Sequence, residues 1–84
     1  MFYTYIIQSE KTSRYYIGYT KDMTVRLERH NSGWSKSTRS GIPWKLVYFE
    51  KYESKSDAIK RERKLKSYKN KQYLERLIIN SVCE

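Results

Sequence analysis

The chain has 84 residues, enough for one small domain with a single modest core and too few for a second. Eighteen Lys and Arg against nine Asp and Glu give a formal charge of +9, spread along the chain, so a polyanion is the expected partner. The single cysteine, Cys83, excludes a disulfide framework and a Cys-based zinc site. No apolar run approaches the ~20 residues of a membrane span, and MFYTYII lacks the basic segment of a signal peptide, so a soluble, cytoplasmic protein is expected.

In chain order, FYTYII is rich in β-formers and reads as a strand, with Tyr3, Tyr5 and Ile7 on one side and Phe2, Thr4 and Ile6 on the other. After the polar QSEKTSR comes YYIGY, where Tyr15, Ile17 and Tyr19 share a face opposite Tyr16 and Gly18; the two runs predict a hairpin. Gly18 within a strand predicts close backbone approach or a bulge.

Asp22 caps a helix that runs to about Asn31 and stops at Asn-Ser-Gly. Met23, Arg26, Leu27 and His30 recur at helical spacing on one face, which puts Arg26 and His30 one turn apart beside the apolar pair that faces the sheet. WSKSTRSGIPWK reads as a loop, and KLVYFEKY, residues 45–52, as a third strand.

Ser54 with Asp57 resembles a capping box, and Ala58, Glu62 and Leu65 line the inward stripe of the helix it opens. A final helix over about 71–81, with Asn70 as cap, carries Tyr73, Leu74, Leu77 and Ile78 on its apolar face. The order β-β-α-β-α-α predicts one α+β domain over residues 1–84, a small three-stranded antiparallel sheet flanked by helices.

Candidate functional residues follow from the charges that this pattern turns inward. Glu62 lies in an otherwise basic stretch on the stripe expected to be buried. It is either an i, i+4 partner for Lys66 and a neutraliser of Arg61 and Arg63, or a ligand for a hard divalent cation. His30 is either a satisfied structural residue and Arg26 a solvated one, or the two together form a cradle for a phosphodiester, with the guanidinium fork on phosphate oxygens.

Lys36, Arg39 and Lys45 sit among small hydroxyl residues and two tryptophans. That loop is either anchored by Trp34 and Trp44 in the core or a phosphate-tracking DNA contact. Arg61 and Lys64, with Lys60, Arg63 and Lys66, are expected on the nucleic-acid surface. Nine tyrosines suit core filling, phosphate contact and base stacking alike.

These residues resemble the GIY-YIG nucleases. YTY at Tyr3 to Tyr5 stands where that family has its first signature, and YIG at Tyr16 to Gly18 matches the second. Arg26 in TVRLERHN, the His30-Asn31 pair and Glu62 in AIKRERKLK fall where the family's arginine, histidine and metal-binding glutamate are expected. HNSG, KST and PWKLVY are similar to the short, single-domain bacterial members.

The resemblance implies a metal-dependent, structure-selective DNA endonuclease with DNA repair or recombination as its setting. One site on so small a domain cuts one strand at a time unless it dimerises, so nicking is expected of a monomer or weak dimer. It makes Tyr5 and Tyr16 neighbours of the attacking water. Arg26 then stabilises the phosphorane-like charge, His30 assists orientation or proton transfer, and Glu62 holds Mg²⁺ or Mn²⁺. The competing reading is a non-catalytic basic nucleic-acid-binding module, and a protein partner supplying specificity is also compatible with so short a chain.

A tyrosine base has a cost. Holding a phenol of pKa near 10 as phenolate at pH 7 takes about 4 kcal/mol, which neighbouring cations must offset. Otherwise the tyrosine passes a proton during the reaction without becoming a stable anion.

Overall fold

FYTYII carries side chains that need cover on both sides, and the fold supplies it. The structure, a computed structural model, describes residues 1–34, 36–68 and 71–82. The elements are β1 (Phe2–Ser9), β2 (Tyr15–Thr20), α1 (Met23–Asn31), a single turn α2 (Lys36–Arg39), β3 (Trp44–Tyr52), α3 (Lys55–Ser67) and α4 (Lys71–Val82). The expected order holds, with α2 added inside the segment read as a loop. Asn70 and Cys83 lie outside the described residues.

The sheet runs β2-β1-β3, antiparallel throughout, so β1 is central. Thr4, Tyr5, Ile6 and Ile7 are all buried in succession, which requires helices on both faces of the sheet. On one side Ile6 and Ile17 pack with Leu65 of α3 and Leu74 of α4. On the other, Tyr5, Ile7 and Trp44 pack with Tyr16, Leu46, and Met23 and Leu27 of α1. The alternation in β1 therefore divides two cores between two helical layers.

Two details set the helices against the sheet. Thr4 donates its Oγ1 to the carbonyl of Ala58 at 2.8 Å, and Ala58 is small enough to let α3 approach β1 that closely. Between Ile6 and Ile7 the register with β3 slips from Tyr48 to Leu46, so β3 carries a bulge. Consequently Val47 and Tyr48, though consecutive, both pack on the α3–α4 side, while Leu46 joins the other core.

The same side of the sheet buries a charge. Glu50 receives the Arg61 Nε at 2.9 Å and Nη2 at 3.2 Å, and the hydroxyls of Tyr48 and Tyr52 both donate to it. Arg61, expected on the nucleic-acid surface, is instead a partly buried counter-ion whose fork is directed at Glu50. Burial alone would raise the Glu50 carboxyl, but the hydrogen bonds from Tyr48, Tyr52 and Arg61 outweigh it and hold the group below its usual range. In turn, burial and the carboxylate push both tyrosines to about 12.

Because the folded carboxyl is depressed, Glu50 contributes stability above its unfolded value, near 4.3, that is lost as pH falls through the folded pKa. Glu50→Gln is expected to lower stability at pH 7 by about 2–3 kcal/mol and to flatten the acid limb of stability against pH. Urea denaturation between pH 7 and pH 3 measures both; an acid limb of unchanged steepness would count against the assignment.

Candidate active site

Tyr5 faces the α1 side of the sheet, and its cross-strand partner on β2 is Gly18. A Cβ at Gly18 would lie 2.6 Å from the Tyr5 hydroxyl oxygen and 2.8 Å from its Cζ. The glycine is thus a place for the Tyr5 ring to lie. The close approach expected there is made by a side chain, and β1 and β2 pair through it without a bulge.

Met23 and Leu27 seat α1 on the second core, and that rotation turns Arg26 and His30 toward Tyr5. The Tyr5 hydroxyl lies 2.9 Å from His30 Nε2, and Arg26 Nε donates to the same hydroxyl at 3.3 Å. His30 Nδ1 lies 2.9 Å from Thr38 Oγ1, contributed by α2. Tyr16 sets its ring edge-on to His30 at 5.0 Å and to Trp44 at 6.4 Å. His30 is 1% exposed and Thr38 fully buried, so the imidazole is fixed at both nitrogens.

The loop that brings Thr38 here is held by paired amides. Asn31 Nδ2 donates to the Trp44 carbonyl at 3.0 Å, and the Trp44 N–H donates to Asn31 Oδ1 at 2.5 Å. Trp44 Nε1 donates to the Thr38 carbonyl at 2.6 Å. Gly41 accommodates the Trp44 ring, since a Cβ there would meet Cζ2 at 2.5 Å. Of the two tryptophans that one reading of the loop placed in the core, Trp44 is buried there and Trp34 is 71% exposed.

Thr38 is the site residue that sequence reasoning missed. It was one hydroxyl among several in a polar stretch, and its only local signal was the KST run that became α2. Asn31, read as part of a helix stop, is in fact the clasp between α1 and β3.

Electrostatics define the resting protonation. Burial raises the Tyr5 hydroxyl above its usual value near 10, with Arg26 opposing that and Tyr16 and Glu62 reinforcing it. Arg26 thus acts in the expected direction, yet burial outweighs it, and a standing phenolate is not the resting form. Burial, then the charge of Arg26, lowers His30 below 6.5. Arg26 is raised, chiefly through its hydrogen bond to Tyr5.

At neutral pH the site is therefore a neutral phenol, a neutral imidazole and a guanidinium. In one arrangement the bonds run in a single direction, Arg26 to Tyr5 to His30 Nε2, with Nδ1–H donating to Thr38. In the other, Thr38 donates to Nδ1 and Nε2–H donates to Tyr5, which directs the phenol proton outward.

Glu62 comes from α3, between the buried Ala58 and Leu65. Its side chain is only 15% exposed, and its carboxylate is the smallest of the influences named on Tyr5, whose rise is due chiefly to burial. The exposed Lys66 lies 3.8 Å away, in the i, i+4 pairing foreseen as its bland role and too long for a hydrogen bond. No cluster of three or more His, Cys, Asp or Glu placed to hold a metal occurs among the described residues. A cation here would have one protein carboxylate, which suits a hard ion such as Mg²⁺ that keeps waters and takes substrate phosphate oxygens.

Lys36, Arg39, Lys45 and Lys64 are exposed, and Arg39 Nε donates to the Gly33 carbonyl at 3.2 Å. A cleft of about 540 Å³ between α1 and β3, lined by Met23, Leu27 and Leu46 among others, includes none of Tyr5, Tyr16, Arg26, His30 or Glu62. No helix among the described residues is long and apolar enough to cross a membrane.

The model of the GIY-YIG catalytic domain matches residues 1–76. UPF0213 proteins of Staphylococcus aureus, in strains Mu3 and N315 among others, are 45% identical over 67 residues, covering 79% of this chain and 80% of theirs. The solution NMR structure of a UPF0213 protein from Bacillus halodurans matches with a TM-score of 0.58 and 32% identity, over 93% of this chain and 83% of that one.

His30 is the chain's one histidine, so its titration can be followed without assignment ambiguity. Its ring-proton NMR midpoint is expected below about 6.5, and in Arg26→Gln it should move upward as the neighbouring charge is removed. Its depressed value contributes stability that is complete above about 6.5 and lost as pH falls through the folded pKa. A wild-type midpoint at or above 6.5 would refute the buried, neutral imidazole.

Proposed function

We propose that this chain, which belongs to the GIY-YIG family, is a divalent-metal-dependent DNA endonuclease that hydrolyses phosphodiester bonds one strand at a time, in DNA repair or recombination. The observation that carries the reading is the bonded row Arg26, Tyr5, His30, Thr38.

Hydrolysis needs a proton acceptor for water, a place to send that proton, and positive charge at the phosphate. The Tyr5 oxygen is the acceptor in this reading. It is fully buried in the free protein, so the reading requires bound substrate to open the Arg26 side to the attacking water. As it takes the water's proton, its own proton passes to His30 Nε2 at 2.9 Å, so no phenolate accumulates against the burial that disfavours it. That transfer uses the Nδ1–H tautomer, and the bond to Thr38 then stabilises the imidazolium. Arg26 uses Nε on Tyr5, and its charge stabilises the developing phosphorane.

Tyr16, packed edge-on against His30, closes the other side of the site. Glu62 would hold the divalent cation, Mg²⁺ or Mn²⁺, whose chemistry when bound is Lewis-acid neutralisation of phosphate charge. Lys36, Arg39, Lys45 and Lys64 form the DNA surface on this reading. Arg61 is left to Glu50.

Side-by-side cleavage of supercoiled plasmid by wild type and variants, with Mn²⁺, Mg²⁺ or EDTA, tests the proposal. Wild type is expected to nick only with metal. Glu62→Ala should lose metal-dependent nicking while still binding DNA, and Tyr5→Phe should fall by about 10²–10⁴-fold. Unchanged cleavage in Glu62→Ala would sink the metal role; DNA binding by every variant with no cutting under any condition would leave a binding module.

A further inference from the structure

Trp34 is the most exposed large apolar side chain among the described residues, at 71%, on a chain of charge +9. Its position is built. Gly33, at φ +82°, takes the left-handed conformation after α1. The Trp34 N–H donates to the Arg29 carbonyl at 3.1 Å, and the Gly33 N–H to the His30 carbonyl at 3.4 Å. Together these two bonds form a Schellman cap on α1. Arg39 ties the cap to α2 through the Gly33 carbonyl.

A Schellman cap usually buries the residue after its glycine against the last turn of the helix. Here the residue three from the helix end is Arg29, so the contact becomes a guanidinium 5.7 Å from the Trp34 ring centroid, and the indole stays in solvent. A lone exposed tryptophan needs no explanation by itself. This one is held on a fixed turn, backed on one side by a cation, and stands four residues from both His30 and Thr38. Four residues span at most about 14 Å, the length of about four base-pair rises along a duplex axis.

We infer that Trp34, backed by Arg29, is a stacking platform for an unpaired DNA base within a few nucleotides of the scissile phosphate, so that the enzyme selects DNA with a single-stranded segment. The inference rests on the nuclease reading above. Arg29 supplies charge for the backbone on one side of the indole, and a base takes the open side. In duplex DNA the bases are stacked on each other and offer no free face, so the platform contributes only where a flap, fork or gap has released one.

The test is equilibrium binding in EDTA, by fluorescence anisotropy, to a labelled single strand, a flap and a blunt duplex of equal length. Trp34→Ala is expected to weaken binding of single strand and flap by about 5–150-fold. Duplex affinity should stay within about twofold and the salt dependence should keep its slope, because no phosphate contact is lost. Trp34→Tyr should restore most of the loss and Trp34→Leu should not, which separates ring stacking from an apolar cap contact. Equal losses on all three DNAs, or rescue by leucine, would overturn the inference and leave the nuclease reading intact. Failure of wild type to bind any of them would overturn both.

Discussion

The bond between the Tyr5 hydroxyl and His30 Nε2, 2.9 Å and buried, is the constraint on which the rest of this small structure depends. Two polar side chains out of water must satisfy each other, and each then dictates its surroundings. Tyr5 requires an empty Cβ position on the neighbouring strand, which Gly18 provides. His30 requires a partner at its second nitrogen, which is why a turn of helix carrying Thr38 folds back under α1. The Asn31 clasp and the Trp44 indole hold that turn in place. Among the described residues no buried side-chain polar atom lacks a partner.

The central strand separates two kinds of buried polarity. On the α3–α4 side, Glu50 is ionised and fully answered by Arg61 and two tyrosine hydroxyls, an arrangement with no reason to change during a reaction. On the α1 side the phenol and the imidazole are kept neutral and adjacent, with one guanidinium beside them. A neutral imidazole has a nitrogen free to take a proton, whereas the guanidinium paired with Glu50 has none. Burial has opposite chemical meaning on the two faces because of what is buried beside each group.

That difference bears on how a tyrosine can work near neutral pH. Neighbouring cations do favour its anion, but at Tyr5 the loss of water outweighs Arg26. On the proposed reading the barrier is lowered by an immediate destination for the proton, not by ionising the phenol in advance. On that reading His30 is the destination, and burial and Arg26 both favour its unprotonated form.

Periodicity alone determined much of this protein. Alternation in FYTYII assigned Tyr5 and Ile7 to one face and Thr4 and Ile6 to the other, and helical spacing put Arg26 and His30 on one side of α1 and Glu62 on the buried stripe of α3. These are local properties of strands and helices, so the sequence carries them directly.

What only the tertiary structure decided involves residues far apart in the chain or equal in local signal. Arg61 and Lys64 look alike in a basic run, and a carboxylate on another element, Glu50, took one and left the other in solvent. Trp34 and Trp44 flank the same loop, and the paired amides of Asn31 drew one into the core while the helix cap turned the other out. Thr38 became a site residue because folding brought its hydroxyl to a histidine. No local pattern encodes such a meeting, since it depends on where the whole chain returns.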